Sequence, residues 1–235
     1  MINYEYRLDG TIASVTYPSG KIVRYDVDEA GRVIKVRGDD GVSPEWNYAD
    51  MTQATAPYTA DGRLRQMKLG NGLWETRSYK SPEQPTVLQL GTAAGNGVAG
   101  TFGNGDQVQL EFTYANGNLI GQVTRRVNAS QVWTQTYSYD GVNRLKTVSE
   151  TYGQAVGWWQ QFDYDQFGNR WVTADGLADM ADLYEPSSAA DFDQSNNRLT
   201  GDINSPAVYD AAGNLIQAPY EPLQLIEQIK KNPPK

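Results

Sequence analysis

Apolar and polar residues alternate in short segments along most of the chain, and turn-forming residues separate these segments. In residues 162–171, Phe162 and Tyr164 lie two positions apart, and Asp165 and Gly168 follow them. Residues two apart in a strand lie on one face, so both rings would point the same way and stack on aromatic rings of neighbouring strands. The pattern predicts a β-hairpin whose two strands, of about seven residues each, are joined by a tight turn.

The same pattern recurs in eight segments, which indicates an internal repeat. An aspartate carboxylate, as at Asp140, Asp165 and Asp210, would cap the turn, and a Gly or Asn about three residues later would adopt the positive φ that closes the hairpin with a bulge. A polar residue, often Arg or Asn, then precedes an apolar residue on the returning strand. The predicted repeat residues are Tyr6, Gly10, Asp28, Gly31, Tyr58, Gly62, Tyr114, Gly117, Tyr139, Asp140, Asn143, Tyr164, Asp165, Gly168, Phe192, Asp193, Tyr209, Asp210 and Gly213.

The spacing of the copies predicts the architecture. Tyr114, Tyr139 and Tyr164 are 25 residues apart, which suits two strands with a turn at each end. A weaker copy is expected at residues 75–91, with Tyr79 in the aromatic position, followed by a Gly-rich loop at about 91–107. We therefore predict an all-β fold of repeated antiparallel hairpins over residues 1–217, with short helices at 175–185 and within a C-terminal tail at 218–235.

These residues resemble the RHS or YD-repeat family, which is named for a Tyr-Asp pair followed by Gly and then Arg or Asn. The resemblance covers residues 4–216. Its members include bacterial RHS proteins, the C components of insecticidal toxin complexes and the animal teneurins. The resemblance implies a large curved sheet that is a segment of a hollow β-shell, which in many bacterial members encloses a toxic C-terminal domain.

The resemblance also implies a location and partners. We expect a secreted or cell-surface bacterial protein, although residues 1–10 carry no Sec-type export signal. The chain is much shorter than a complete shell of the family, so the implied partners are further YD repeats or an encapsulated toxin domain of a longer protein. The Asp-Pro-x-Gly-Leu motif that the family associates with self-cleavage does not occur in this sequence, so no self-cleaving aspartate is assigned.

Composition narrows the chemistry that the chain could perform. The sequence has no histidine and no cysteine, which removes His-based triads, Cys-His dyads and zinc sites with His or Cys ligands. The formal net charge of −8 works against nucleic-acid binding, which needs a positive surface. We expect no enzyme activity, no cofactor, no metal, no nucleic acid and no membrane insertion.

Three motifs with chemical meaning have simpler interpretations. Residues 95–100 match a dinucleotide-binding fingerprint, but the Gly-rich sequence that follows cannot open the required helix. Residues 26–31 begin like a calcium loop, yet Ala30 and Arg37 stand where oxygen ligands are needed. Paired carboxylates could hydrolyse glycosides, but the acidic residues lie mostly at the predicted turns or in solvated segments.

An alternative function is a stand-alone cell-surface module that binds carbohydrate through exposed aromatic rings. The candidate sugar-stacking residues are Trp133, Trp158, Trp159 and Trp171. Adjacent Trp158 and Trp159 cannot both face the same side of a strand, so one of them needs a cover from protein or partner. The exposed first and last strands of an open sheet could also pair with other chains, which predicts an edge-strand oligomer unless they are capped.

Overall fold

The computed structural model describes residues 1–80, 84–103, 105–128, 130–176, 186–201 and 206–218. Within these ranges nearly all regular structure is β-strand, and the helical structure is one 3-10 turn at Ala189–Asp191. The strands are β1 Asn3–Tyr6, β2 Ile12–Thr16, β3 Ile22–Val27, β4 Val33–Asp39, β5 Trp46–Asp50, β6 Gln66–Leu69, β7 Trp74–Lys80, β8 Gln84–Gly91, β9 Asp106–Ala115, β10 Leu119–Arg126, β11 Val132–Tyr139, β12 Leu145–Tyr152, β13 Ala155–Tyr164, β14 Arg170–Asp175, β15 Phe192–Asp193, β16 Arg198–Leu199, β17 Val208–Tyr209 and β18 Leu215–Gln217.

Strand order follows chain order throughout the described residues. The strands β1 to β14 hydrogen-bond in sequence as one sheet, while β15–β16 and β17–β18 form two further antiparallel hairpins. Each strand therefore pairs with the strand that precedes or follows it in the chain, as repeated hairpins require. The predicted fold class, an all-β chain of antiparallel hairpins, is confirmed.

The chain divides into two compact units, residues 1–134 and 135–235. In the first unit, the buried side chains are both apolar and polar. Val15, Met51 and Val87 are buried, and so are Thr76 and Gln109. A sheet that buries this many polar groups must satisfy them with hydrogen bonds, because an unpaired buried polar group costs about 1–3 kcal/mol.

The Gly-rich loop supplies hydrogen bonds to three of the buried polar side chains, Thr76, Gln89 and Gln109. Because β8 ends at Gly91 and β9 begins at Asp106, the loop comprises residues 92–105. It begins one residue later and ends two residues earlier than the loop predicted at about 91–107. It lies over a row of side chains that are direct cross-strand partners on four adjacent strands. The row consists of Gln66 on β6, Thr76 on β7, Gln89 on β8 and Gln109 on β9.

Each member of this polar row contacts the loop backbone. The Nε2 of Gln66 donates to the carbonyl of Gly95 at 2.9 Å, and the amide of Gly95 donates to the hydroxyl of Thr76 at 3.1 Å. The amide of Gly97 donates to Oε1 of Gln89 at 3.1 Å. The Nε2 of Gln109 donates to the carbonyls of Val98 and Thr101, both at 3.1 Å. The loop is therefore an ordered cover on one face of this part of the sheet.

The second unit has a small apolar core. It consists of three residues buried together, Val148 on β12, Phe162 on β13 and Val172 on β14. Their burial on one face accounts for the alternation of apolar and polar residues in these strands. Partly buried side chains that pack against this core are Tyr137, Leu145, Trp158 and Tyr164.

Several sequence predictions fall partly outside the described ranges. The helix predicted at 175–185 lies outside them except for residues 175 and 176, of which Asp175 ends β14. The predicted helix of the tail at 218–235 lies outside them except for residue 218. Among the residues that the structure does describe, no helix has the length and apolar character needed to cross a membrane.

Candidate functional site

Four of the eight repeat turns share one hydrogen-bonding scheme. In these four, Oδ1 of the aspartate accepts the backbone N–H of the residue four positions later, which closes the turn. These bonds join Asp28 to Arg32 at 2.9 Å, Asp140 to Arg144 at 2.8 Å, Asp165 to Asn169 at 3.0 Å and Asp210 to Asn214 at 2.8 Å. The carboxylate is thus part of the turn itself.

The second carboxylate oxygen explains why Arg or Asn follows the turn glycine. In the same four turns, Oδ2 accepts a side-chain N–H from that residue: Nε of Arg32 at 2.8 Å and of Arg144 at 2.7 Å, and Nδ2 of Asn169 at 2.7 Å and of Asn214 at 2.9 Å. Arginine and asparagine both present a planar N–H donor at this point. The turn therefore uses both oxygens of its aspartate.

These bonds stabilise the ionised carboxylates. Hydrogen bonds from the side chain and backbone of Arg32 hold the pKa of Asp28 below its ordinary value, and those from Asn214 do the same for Asp210. At Asp140 the backbone N–H of Arg144 makes the largest contribution to the lowered pKa. Burial raises the pKa of Asp165, but the hydrogen bonds from the side chain and backbone of Asn169 outweigh it.

Positive φ occurs at the residue before this Arg or Asn. Asn143 has φ of +67°, although it is not glycine, and an Asn side chain tolerates this conformation better than most. The glycines of the other turns are Gly10 at +83°, Gly31 at +76°, Gly62 at +86°, Gly117 at +76°, Gly168 at +92° and Gly213 at +89°. In the turn that begins at Phe192 and Asp193, the residue with positive φ is Asn197 at +61°.

A second feature joins one hairpin to the next, and we call it the inter-hairpin contact. The hydroxyl of Tyr164, at the end of β13, donates to the carbonyl of Leu145, the first residue of β12, at 2.7 Å. The guanidinium carbon of Arg144 lies 4.4 Å from the centroid of the same tyrosine ring. Tyr164 therefore contacts both Arg144 and Leu145, the pair of residues that ends the preceding turn.

The inter-hairpin contact recurs three more times. The hydroxyl donates to the carbonyl of an apolar residue, and the arginine before that residue lies 4.6–4.8 Å from the ring centroid. The sets are Tyr58 with Val33 and Arg32, Tyr79 with Leu64 and Arg63, and Tyr209 with Leu199 and Arg198.

A variant of the contact lies at the weaker copy of the repeat. The hydroxyl of Tyr114 donates to the carbonyl of Pro85 at 2.7 Å, and Gln84 stands where the other sets have arginine. Nε2 of Gln84 donates instead to the carbonyl of Gly117, at 2.7 Å, in the turn that follows Tyr114. This contact also joins one hairpin to the next, but the side-chain amide of Gln84 takes the place of the arginine guanidinium.

For five of the tyrosines this arrangement corrects the expectation of stacking on aromatic rings of neighbouring strands. Tyr58, Tyr79, Tyr164 and Tyr209 contact an arginine and a backbone carbonyl, and Tyr114 contacts a backbone carbonyl. Tyr6 pairs with the ring of Tyr4, which lies on its own strand. The sequence did not lead us to expect these tyrosine–arginine contacts, although the regular occurrence of Arg before an apolar residue pointed to them.

The four candidate sugar-stacking tryptophans do not form one surface. Trp158 packs against the core of the second unit, and Trp159 faces the opposite side of β13 with 38% of its surface exposed. Trp171 is the cross-strand partner of Asp163, on the same face as Trp159. In the first unit, the guanidinium of Arg125 lies 4.9 Å from the ring centroid of Trp133.

Other chemical groups are few. Among the described residues, no cluster of Asp and Glu has the arrangement needed to hold a metal ion. In the cleft lined by Asn47, Asp50, Lys68 and Gly70 the carboxylate already has partners: Asp50 pairs with Lys35 at 3.4 Å and accepts from the amide of Thr52 at 3.0 Å.

No protein-family model matches the chain, and no curated protein matches it either. Solved structures do resemble it. One is the Tc holotoxin pore of Photorhabdus luminescens with a mutated TccC3, at a TM-score of 0.53 and 13% identity over 91% of this chain. Two others are the crystal structures of TcdB2-TccC3-Cdc42 and TcdB2-TccC3-TEV, at TM-scores of 0.50 and 0.52 and identities of 13% and 12%, again over 91% of this chain. This chain spans only 12% of the length of each of these chains. The likeness supports an RHS-like fold.

Proposed function

We propose that this chain is a structural, non-catalytic segment of an RHS-type β-sheet that, in a longer protein, forms part of a shell around a C-terminal toxin. The observation that carries the proposal is the inter-hairpin contact. It ties the end of one turn to the strand of the next hairpin, so each repeat stabilises its neighbour, as in other repeat architectures.

The chemistry of the turns agrees with a structural role. In repeat aspartates such as Asp28 and Asp140, both carboxylate oxygens accept hydrogen bonds within their own turn. A general acid or base needs a carboxyl group that can reach a substrate proton, and these groups are committed elsewhere. We therefore assign the repeat residues a structural role, in which they bind no cofactor and catalyse no reaction.

The comparisons support the wider context. The matched chains belong to Tc toxin assemblies, and this chain is similar to about one eighth of each. By analogy, its partners are further repeats of the same kind and an enclosed toxin domain, and the complete protein is secreted or displayed on a bacterial surface.

Cryo-electron microscopy of the protein expressed from its complete native gene tests this proposal. We expect a map in which residues 1–217 trace part of a continuous β-wall around an interior that holds a separate domain. A map in which these residues form an isolated module that encloses nothing would contradict it.

Carbohydrate binding is the second candidate, and the exposure of Trp159 is the observation in its favour. Tryptophan fluorescence during titration with sugars separates the two functions. A structural segment should show no saturable quench. A saturable quench that is lost in Trp159→Ala, but kept in a Trp133→Phe variant, would favour sugar binding on the face that Trp159 and Trp171 share.

A further inference from the structure

Asparagine followed by glycine is a chemically labile pair. Glycine has no side chain to shield its backbone nitrogen, so the side-chain carbonyl of the preceding asparagine can approach it. The structure describes three such pairs completely, Asn71–Gly72, Asn96–Gly97 and Asn116–Gly117, while a fourth, at 104–105, begins outside the described residues. The asparagine of each of the three pairs is exposed, so exposure alone does not distinguish them.

Hydrogen bonds engage both reacting groups of the first pair, Asn71–Gly72. The backbone nitrogen of Gly72 donates to the carbonyl of Leu69 at 2.9 Å. The side-chain oxygen of Asn71 accepts the backbone N–H of Leu73 at 3.1 Å. A reaction between Asn71 and Gly72 would first have to break both bonds.

The second pair, Asn96–Gly97, is engaged in the same way within the Gly-rich loop. Gly97 is buried, and its backbone nitrogen donates to Oε1 of Gln89 at 3.1 Å. The side-chain oxygen of Asn96 accepts the backbone N–H of Val98 at 2.9 Å. The cover that this loop forms over the sheet therefore protects the pair.

The third pair, Asn116–Gly117, lies in the turn between β9 and β10 and differs from the other two. Within the described residues, neither the side chain of Asn116 nor the backbone nitrogen of Gly117 makes a hydrogen bond. The turn itself is held in place, because Nε2 of Gln84 donates to the carbonyl of Gly117 and to Oδ1 of Asn118, both at 2.7 Å. The fold therefore fixes this turn while leaving its two reacting groups free.

We propose that Asn116 is a site of spontaneous deamidation, which the fold favours over the other two described pairs, and that the reaction releases the turn from Gln84. The backbone nitrogen of Gly117 attacks Cγ of Asn116, and a new N–Cγ bond forms. The Cγ–Nδ2 bond breaks, and ammonia leaves with the proton that the Gly117 nitrogen gives up. Water then opens the resulting succinimide at one of its two carbonyls, so that residue 116 becomes aspartate or isoaspartate.

The product alters the contact between two hairpins. Isoaspartate places an additional methylene in the main chain immediately before Gly117 and Asn118, the two residues that accept from Gln84. Hydrogen bonds of this kind weaken steeply when distance and angle change, so the shifted turn loses them. The side chain of Gln84 is only 9% exposed, and a nearly buried amide without partners destabilises the contact further.

Peptide mapping by mass spectrometry, after incubation of the full chain at mildly alkaline pH, tests the site. We expect Asn116 to convert at least about fivefold faster than Asn71 or Asn96, since each of these must break two hydrogen bonds worth about 0.5–1.5 kcal/mol apiece. In urea, where the chain is unfolded, the three should convert at similar rates. Equal rates in the folded chain, or the same order of rates in urea, would overturn the assignment.

Hydrogen exchange of the incubated chain tests the release of the turn. We expect faster exchange in residues 84–91 and 112–120 than in the fresh chain, and unchanged exchange in β12–β13. Asn116→Gly is the matched control, because glycine accepts the φ of +27° at this position and cannot form the succinimide. Incubation should leave its exchange unchanged. Unaltered exchange in a chain whose Asn116 has converted, or equal acceleration in the control variant, would show that deamidation does not release the turn.

Discussion

At the scale of single residues, two glycines in turns of the same kind serve different purposes. Gly168 has φ of +92°, and Gly141, in the turn that Asn143 closes, does not have a positive φ. A Cβ added at either position would meet no heavy atom within 4 Å. A substitution at these positions therefore changes backbone conformational energy without a steric clash.

Gly168→Ala should lower the free energy of unfolding by about 1–2 kcal/mol, since an L-residue pays this much for the left-handed conformation. Gly141→Ala is the matched control and should be neutral or stabilising by up to about 1 kcal/mol, because it restricts the unfolded chain alone. Urea unfolding measures both. Equal losses at the two positions would contradict the turn geometry described here.

The hydroxyl of Tyr164 should contribute a measurable hydrogen bond. Tyr164→Phe keeps the ring and removes the donor to the carbonyl of Leu145, so we expect a loss of about 0.5–1.5 kcal/mol in the free energy of unfolding. Tyr17→Phe removes an exposed hydroxyl that makes no such bond in the described residues, and it should change stability by less than about 0.5 kcal/mol. Similar losses in the two variants would argue against the contact.

At the scale of elements, the Gly-rich loop depends on the polar row beneath it. Gln109→Leu removes the donor to the carbonyls of Val98 and Thr101 while keeping a side chain of similar size. Val98 and Thr101 are exposed, so water can reach their carbonyls and the loss is that of ordinary hydrogen bonds, about 0.5–1.5 kcal/mol each, and the loop at 92–105 should open more often. Hydrogen exchange measured by mass spectrometry should be faster in this loop and unchanged in β12–β13. The control Gln53→Leu, at an exposed position, should leave exchange in the loop as it was.

The elements were predictable where one local rule decides them. Asp165 and Gly168 specify a turn through their own backbone and side-chain preferences, and Asn143 in place of Gly follows the same rule. Contacts between hairpins were not predictable in this way. Which carbonyl Tyr164 reaches depends on strand register, and register is set by bulges such as the one in β12–β13 between Glu150 and Thr151, which no local pattern reveals.

The polar row was missed for a related reason. Gln66, Thr76, Gln89 and Gln109 are far apart in the sequence and become neighbours only through the pairing of four strands. Sequence periodicity assigns polar residues to the solvent side of a strand. Here a Gly-rich loop covers them, and its backbone forms a hydrogen bond with each of the four side chains. The Gly content of residues 91–107 marked a loop but not its place on the sheet.

At the scale of the whole molecule, the repeated carboxylates couple stability to pH. Several turn aspartates have a lowered pKa in the folded state, and hydrogen bonds from Arg63 and Thr59 lower that of Asp61 to about 2. Because the unfolded state then binds more protons as the pH falls, stability is complete above the ordinary carboxyl pKa and is lost as pH falls toward the folded value.

We therefore expect the urea midpoint of unfolding to be nearly constant from about pH 7 to 5 and to fall steadily from about pH 4 to 2. Asp61→Asn should make the fall shallower, because it removes a carboxyl group whose pKa in the folded state is lowered to about 2. A midpoint that stays level or rises between pH 4 and 2 would contradict the role assigned to the turn carboxylates.

The central claim of this account is that consecutive hairpins are held together by tyrosine and arginine. A double-mutant cycle between Tyr164→Leu and Arg144→Gln, measured by urea unfolding, tests it most directly. The loss of the ion pair between Arg144 and Asp140 cancels in the cycle, since it occurs with and without the ring. We predict a coupling free energy of about 0.5–1 kcal/mol between the two side chains. Losses that add to within about 0.3 kcal/mol would show that the two residues act independently, and the claim would be wrong.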